Sequence, residues 1–173
     1  MATYPAKYIA NFVVEYANEL NNPVNNLKLQ KILYYIQARK LVESGGEPMF
    51  EEAIQKWKLG PVVAPVYHMF KSYGATAIKS AEPMIIEDTS SFLGFKFEPF
   101  DMEVIDDAND KEIIMKTVQT MVQYNPFDLV DFTHRHSLWK EDEDEIMRNV
   151  HDLEYDNDDI YDYFINHREE QIW

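Results

Sequence analysis

The sequence predicts a mainly α-helical, α+β fold: a compact domain of about six helices with one small antiparallel β-hairpin, occupying residues 1–173 as a single domain. Three observations predict it. Apolar residues recur at helical spacing in six separate segments. Proline, glycine and asparagine punctuate the gaps between them. One stretch, residues 84–97, changes to the β-branched and aromatic composition of strands.

Taken in order, Pro5–Leu20 reads as an amphipathic helix, with Tyr8, Ile9, Phe12, Val13, Tyr16, Ala17 and Leu20 on one face. Pro5 suits the first turn, and Asn21-Asn22-Pro23 stops the helix. Asn25 or Asn26 caps a second helix, about Leu27–Ser44, whose stripe is Leu29, Ile32, Leu33, Ile36 and Lys40/Leu41. Tyr34 and Tyr35 widen its apolar face, and Gly45-Gly46 ends it. The short connection predicts that these two helices form an antiparallel hairpin. Pro48–Val63 is irregular, anchored by Ile54 and Trp57 and turned by Gly60-Pro61. Pro65 opens a third helix through Tyr73, with Val66, Tyr67 and Phe70 inward and Gly74 closing it. Met84-Ile85-Ile86 and Phe92–Phe97 flank a polar turn and form the hairpin, which is expected to lie on the helices because a lone hairpin is unstable in water. Asp106–Tyr124 returns to helix, with Ile114, Val118, Met121 and Val122 on one face. Asn125 caps and Pro126 starts the helix Phe127–Thr133. Asn157 or Asp158 caps the last helix, Ile160–His167.

Composition narrows the class. Apolar residues make up 46% and aromatics 14%, too much for a disordered chain. Cysteine is absent, which fits a reducing compartment. No basic-then-apolar leader and no apolar run of about 20 residues is seen, so a soluble cytoplasmic protein without membrane contact is expected. The net charge of −15 is uneven. Residues 1–80 hold nine Lys/Arg against six Asp/Glu, whereas residues 81–173 hold seven against 25. Eleven of those acids lie between Glu141 and Asp162. Such a surface repels nucleic-acid phosphates and would favour a basic partner, but a solvated acidic face that keeps the protein soluble is the reading expected ahead of a docking role. No helix carries a basic stripe, so nucleic-acid binding is not expected.

Several segments, in order, resemble one family. Leu27-Lys28-Leu29-Gln30-Lys31-Ile32-Leu33-Tyr34-Tyr35-Ile36-Gln37 is similar to the Leu-Gln-Lys-Leu-Leu-Tyr-Tyr-Ala-Gln helix of the Panacea (SocA-like) antitoxin domain, a family that includes phage-associated GepA-type proteins. Trp57-Lys58-Leu59-Gly60-Pro61-Val62-Val63 resembles its most recognisable motif, with Leu59 where an aromatic is usual. Val66-Tyr67 and Phe70-Lys71-Ser72-Tyr73-Gly74 continue the match. Leu129, Thr133-His134 and Trp139-Lys140 resemble its Leu-Thr-His…Pro-Trp-Lys segment, with Leu138 in place of proline. Ile160–Phe164 is similar to the terminal helix. The resemblance implies an antitoxin, bacterial or phage-encoded, that neutralises a toxin by direct protein–protein contact and carries no catalytic residues and no cofactor. It also implies a second route, in which a member acts as an adaptor delivering its toxin to the ClpXP protease.

The residues themselves are read as follows. Trp57 is expected in the core, and Leu29, Gln30, Lys31, Tyr34, Tyr35, Gly60, Pro61, Val62, Thr133, His134 and Trp139 are expected to be mainly structural. Lys58, Tyr67, His68 and Lys71 are the partner-binding candidates, because parts of the third helix should face out. His134 and His136 lie near Glu141 and Asp142, but without Cys or a third His a metal site is not expected; a histidine bonded to a backbone carbonyl or to Thr133 fits better. Asp152–Asp158 resembles the start of a calcium loop but has Asn157 where glycine is needed and Tyr163 where a bidentate glutamate is needed. No phosphate-binding glycine loop or nucleophile elbow is present, so no enzyme is expected. The competing function is an acidic, phage-encoded inhibitor that mimics nucleic acid toward a host protein.

Overall fold

The computed structural model describes residues 3–173, and among them are eight α-helices, five β-strands and three short 3₁₀ turns. Helix α1 (Ala6–Glu19) follows Pro5 and buries Ile9, Phe12, Val13, Tyr16 and Ala17. Its first free amide, on Ala6, donates to both carboxylate oxygens of Glu52 at 3.0 Å, which places a negative charge at the helix N-terminus.

Helix α2 (Asn26–Ser44) is the axis of the fold. Asn25 caps it by accepting from the Lys28 amide, and Gly45 ends it in the left-handed region at φ 78°. Fourteen of its 19 residues are buried, so it is enclosed on every side rather than along one stripe. The polar ones are satisfied by bonds to the segments around them. Lys28 Nζ donates to the Val122 carbonyl, and the Gln37 amide donates to the Phe50 carbonyl while accepting from the Met49 and Phe50 amides. Lys40 Nζ meets Asp110 Oδ1 at 2.5 Å, with both side chains buried. That pair joins α2 to α4 (Ala108–Met121), which Asp107 caps.

The segment Pro48–Val63, expected to be irregular, contains two strands. β1 (Ile54–Trp57) and β2 (Gly60–Val62) pair antiparallel across Lys58-Leu59. A third strand, β5 (Glu154–Tyr155), pairs with the other edge of β1, giving the order β2-β1-β5. The third helix is shorter than expected. α3 (Ala64–Met69) tightens after Phe70 into a 3₁₀ turn at Lys71–Tyr73, and the Gly74 amide closes it onto the Lys71 carbonyl.

The hairpin is present as β3 (Met84–Glu87) and β4 (Phe95–Glu98), but it does not lie on the helices. Met84 is its one buried side chain, the cross-strand partners Ile85 and Phe97 are exposed, and Phe92 at the tip is fully exposed. Side chains of α1 hold it at its base instead: Asn11 exchanges two hydrogen bonds with the Glu82 backbone, and Glu15 accepts from the Ala81 amide.

Helix α5 (Pro126–Arg135) starts on the Asn125 cap as expected. Two short helices that the sequence did not signal, α6 (Ser137–Lys140) just before the acidic stretch and α7 (Glu143–Met147) within it, raise the count from about six to eight among the described residues. The cap of α8 (Asn157–Asn166) is Asp156, not Asn157 or Asp158: its carboxylate accepts from the amides of Asp158 and Asp159. No helix among the described residues is long and apolar enough to cross a membrane.

Candidate protein-binding groove

The β1–β2 turn is held from below. Gly60 has φ 95°, and a Cβ there would fall 2.6 Å from Thr133 Oγ1 and 3.2 Å from Lys31 Cε, so only glycine fits. Lys31 is wholly buried and pairs with no carboxylate among the described residues. Its Nζ donates to the Pro61 carbonyl at 3.0 Å, and burial pushes its pKa down to about 7. Gln30 accepts from the Val63 amide and donates to Asn26 Oδ1, and Asn26 in turn donates to the Tyr67 carbonyl. In this way α2 fixes both β2 and the start of α3.

The turn is also held from behind. His134 bonds the Lys58 carbonyl through Nε2 at 2.9 Å and stacks on Trp139, with ring centroids 3.9 Å apart. Burial lowers the His134 pKa, and the Trp139 indole N–H donates to the Trp57 carbonyl at 2.9 Å. Two residues on, His136 is wholly buried among aromatic rings, with Nδ1 3.0 Å from Tyr34 Oη. Desolvation pushes its pKa down to about 3, helped by the charges of Arg135 and His167. Tyr34 and Tyr35 titrate above their ordinary values, chiefly through burial.

These supports present the turn at an open groove of about 670 Å³. Trp57, Leu59, Val62 and Tyr67 line one part of it, and Phe127, Ile146, Val150 and Leu153 line another. Amides from Asn25, Gln55 and Asn149 and the charges of Lys58 and Asp152 interrupt the apolar lining. Leu59, Phe127 and Val150 are exposed large apolar residues. A concave apolar site with a few placed polar groups is the usual form of a binding site.

Trp57, expected in the core, is half-buried and lines this groove. Its indole N–H donates to Gln55 Oε1 on the same face of β1. Its ring lines the open groove instead, packed edge-on against half-buried Tyr67. Of the partner-binding candidates, Lys58 and Tyr67 line the groove. His68 is exposed beside it, its ring 5.5 Å from Tyr67 and 6.5 Å from Trp57, while exposed Lys71 lies outside the lining. Sequence reasoning missed Phe127 and the 149–153 loop. Asn149 and Asp152 there have φ of 62° and 65°, and nothing in the local sequence brings that loop to Trp57.

A second, smaller cleft of about 290 Å³ is lined by Glu51, Glu52, Glu154, Asp156 and Asp158. Glu52 and Asp156 are spent on capping α1 and α8, and among the described residues no group of three or more His, Asp or Glu is placed to hold a metal ion.

Comparison with known proteins supports the signature. Residues 29–140 match the family model described as Antitoxin SocA-like, Panacea domain. A stretch of 69 residues is 39% identical to Antitoxin SocA of Caulobacter vibrioides (strain NA1000 / CB15N) and covers 40% of this chain. That stretch spans 36% of the length of the relative, about a third. No solved structure matches the chain. The family match takes in α2, the β1–β2 turn, α3 and the His134–Trp139 support, that is, the groove wall and what holds it, and the chain belongs to the SocA-like Panacea antitoxin family.

Proposed function

We propose that this protein is an antitoxin that acts in the cytoplasm, binding and neutralising a cognate toxin protein by direct contact at the Trp57–Leu59 groove. One observation carries the reading. The signature residues Gln30, Lys31, Thr133 and Trp139, all buried, and half-buried His134 bond or pack against the β1–β2 hairpin that presents Trp57, Lys58 and Leu59 to an open apolar groove. A scaffold so invested in one exposed turn fits a contact surface, where large half-buried aromatics supply most of the affinity. The acidic C-terminal half supports a basic partner.

Co-expression with the product of the neighbouring open reading frame tests this. The wild-type protein restores growth, and Leu59→Asp abolishes rescue while the circular dichroism and melting temperature of the isolated antitoxin stay unchanged, because Leu59 is exposed. A toxic neighbour that the wild-type protein fails to neutralise overturns the reading. Neutralisation by delivery to a ClpXP-type protease, rather than by occlusion, shortens the half-life of the toxin in cells expressing the antitoxin; an unchanged half-life leaves occlusion.

A further inference from the structure

Trp57 and Tyr67 form a corner in the groove, their ring centroids 5.0 Å apart and their planes at 67°. Gln55 fixes the Trp57 ring through its indole N–H. The segment that follows α7 runs beside them. The Lys56 amide donates to the Leu153 carbonyl at 2.8 Å, one step beyond the pair Gln55 and Glu154, and the chain neighbours of Lys56 and Leu153, Trp57 and Asp152, both line the groove. Asp152 is exposed, lines the groove and takes part in no ion pair among the described residues. Lys56 differs, since its ammonium is taken by Asp142 at 2.6 Å. Of the two lysines in the lining, Lys58 has no ion-pair partner among the described residues, and residues 141–158 set nine acids against Arg148, so the field over this wall is negative.

The geometry points to a binding site for an arginine side chain carried by an apolar-flanked segment of the partner protein, with its guanidinium over Trp57 and Asp152 as its counter-ion. This rests on the groove being the toxin-binding face. A planar, weakly hydrated guanidinium stacks on an indole and forks onto a carboxylate at once, which an ammonium does less well. The apolar flanks of the segment rest on Leu59 and Val150, which are otherwise left in water.

The test uses the full-length, ¹⁵N-labelled protein and a blocked peptide, Gly-Ser-Leu-Arg-Leu-Ser-Gly, with norleucine and glutamate versions as controls. The arginine peptide moves the Trp57 indole resonance, identified by its loss in Trp57→Phe, and binds about tenfold tighter than the norleucine peptide, with the glutamate peptide weakest. Asp152→Asn, which tolerates the same left-handed backbone, lowers affinity for the arginine peptide about fivefold and leaves that for the norleucine peptide unchanged. Equal affinities for the three peptides, or a Trp57 resonance unmoved at millimolar arginine peptide, overturn the proposal. The two readings fail separately. Toxin rescue without arginine selectivity removes this site and keeps the antitoxin, whereas arginine selectivity without rescue keeps the site and removes the antitoxin.

Discussion

Gly60 and His136 each tie a local feature of the sequence to a measurable property. At Gly60 two penalties coincide: a backbone at φ 95° that L-residues rarely adopt, and a Thr133 hydroxyl where a methyl would go. Gly60→Ala is expected to cost about 2–3 kcal/mol, read as a lower denaturant midpoint at constant m-value. Adding Thr133→Ala relieves the clash but not the strain, so a double-mutant cycle recovers part of the loss and no more. At His136 the property is pH dependence. Burial holds its pKa near 3 in the fold, well below the ordinary value of 6.5. Between those values the unfolded chain binds a proton that the folded protein refuses. The stabilisation is therefore complete above pH 6.5 and drains away as pH falls toward 3, by up to about 1.4 kcal/mol per pH unit. Unfolding curves from pH 4 to 7 should show a shallower slope for His136→Phe than for the wild type; parallel slopes would mean that the ring is already protonated in the fold.

At the scale of elements, α2 carries the argument. Asp110→Ala strands the Lys40 ammonium in the interior and is expected to cost about 3–5 kcal/mol in urea unfolding. The double variant Lys40→Met, Asp110→Leu should recover most of this, because an apolar pair of similar volume needs no desolvation; a double variant as weak as the single would show that the ion pair itself stabilises the contact of α2 with α4. The helix also shows what was legible. Its apolar stripe from Leu29 to Leu41, its Asn25 cap and its glycine stop follow from local spacing and turn chemistry. The reason Lys28, Gln30, Lys31 and Gln37 are buried does not. Their distant partners lie 13 to 94 residues away, the carbonyls of Val122, Pro61 and Phe50 for Lys28, Lys31 and Gln37 and the Val63 amide for Gln30, and no window of sequence contains them. The β2-β1-β5 sheet was illegible for the same reason: β1 and β2 are four and three residues long, and the two-residue β5 that completes them lies about a hundred residues downstream. Trp57 was misjudged because its residue type says "bury", while only the tertiary arrangement places it in an open groove, half-buried beside residues 146–153.

Across the whole molecule, charge and exposed apolar surface fall on the same half: seven of the nine large exposed apolar side chains lie in residues 81–173. The net charge of −18 in residues 81–173, from seven Lys/Arg against 25 Asp/Glu, sits on the half that supplies α7 and the 149–153 loop to the groove. Some of those acids are engaged, Asp142 with Lys56, Glu143 with Lys140 and Asp156 as a helix cap, but Glu141, Asp144, Glu145, Asp152 and Glu154 face solvent. Exposed acids add little to folding stability, and their collective field acts at range on an approaching partner. The apolar lining of the groove acts only on contact. The two contributions should separate in the kinetics of association with the toxin. Raising sodium chloride from 0.05 to 0.5 M shrinks the Debye length from about 14 to about 4 Å and should slow association about tenfold or more while changing dissociation less than about threefold. Leu59→Asp should do the reverse, accelerating dissociation with little effect on association. A salt-independent association rate would mean that the acidic half faces away from the incoming toxin, and the groove would then have to be approached from the side of His68 and Lys71.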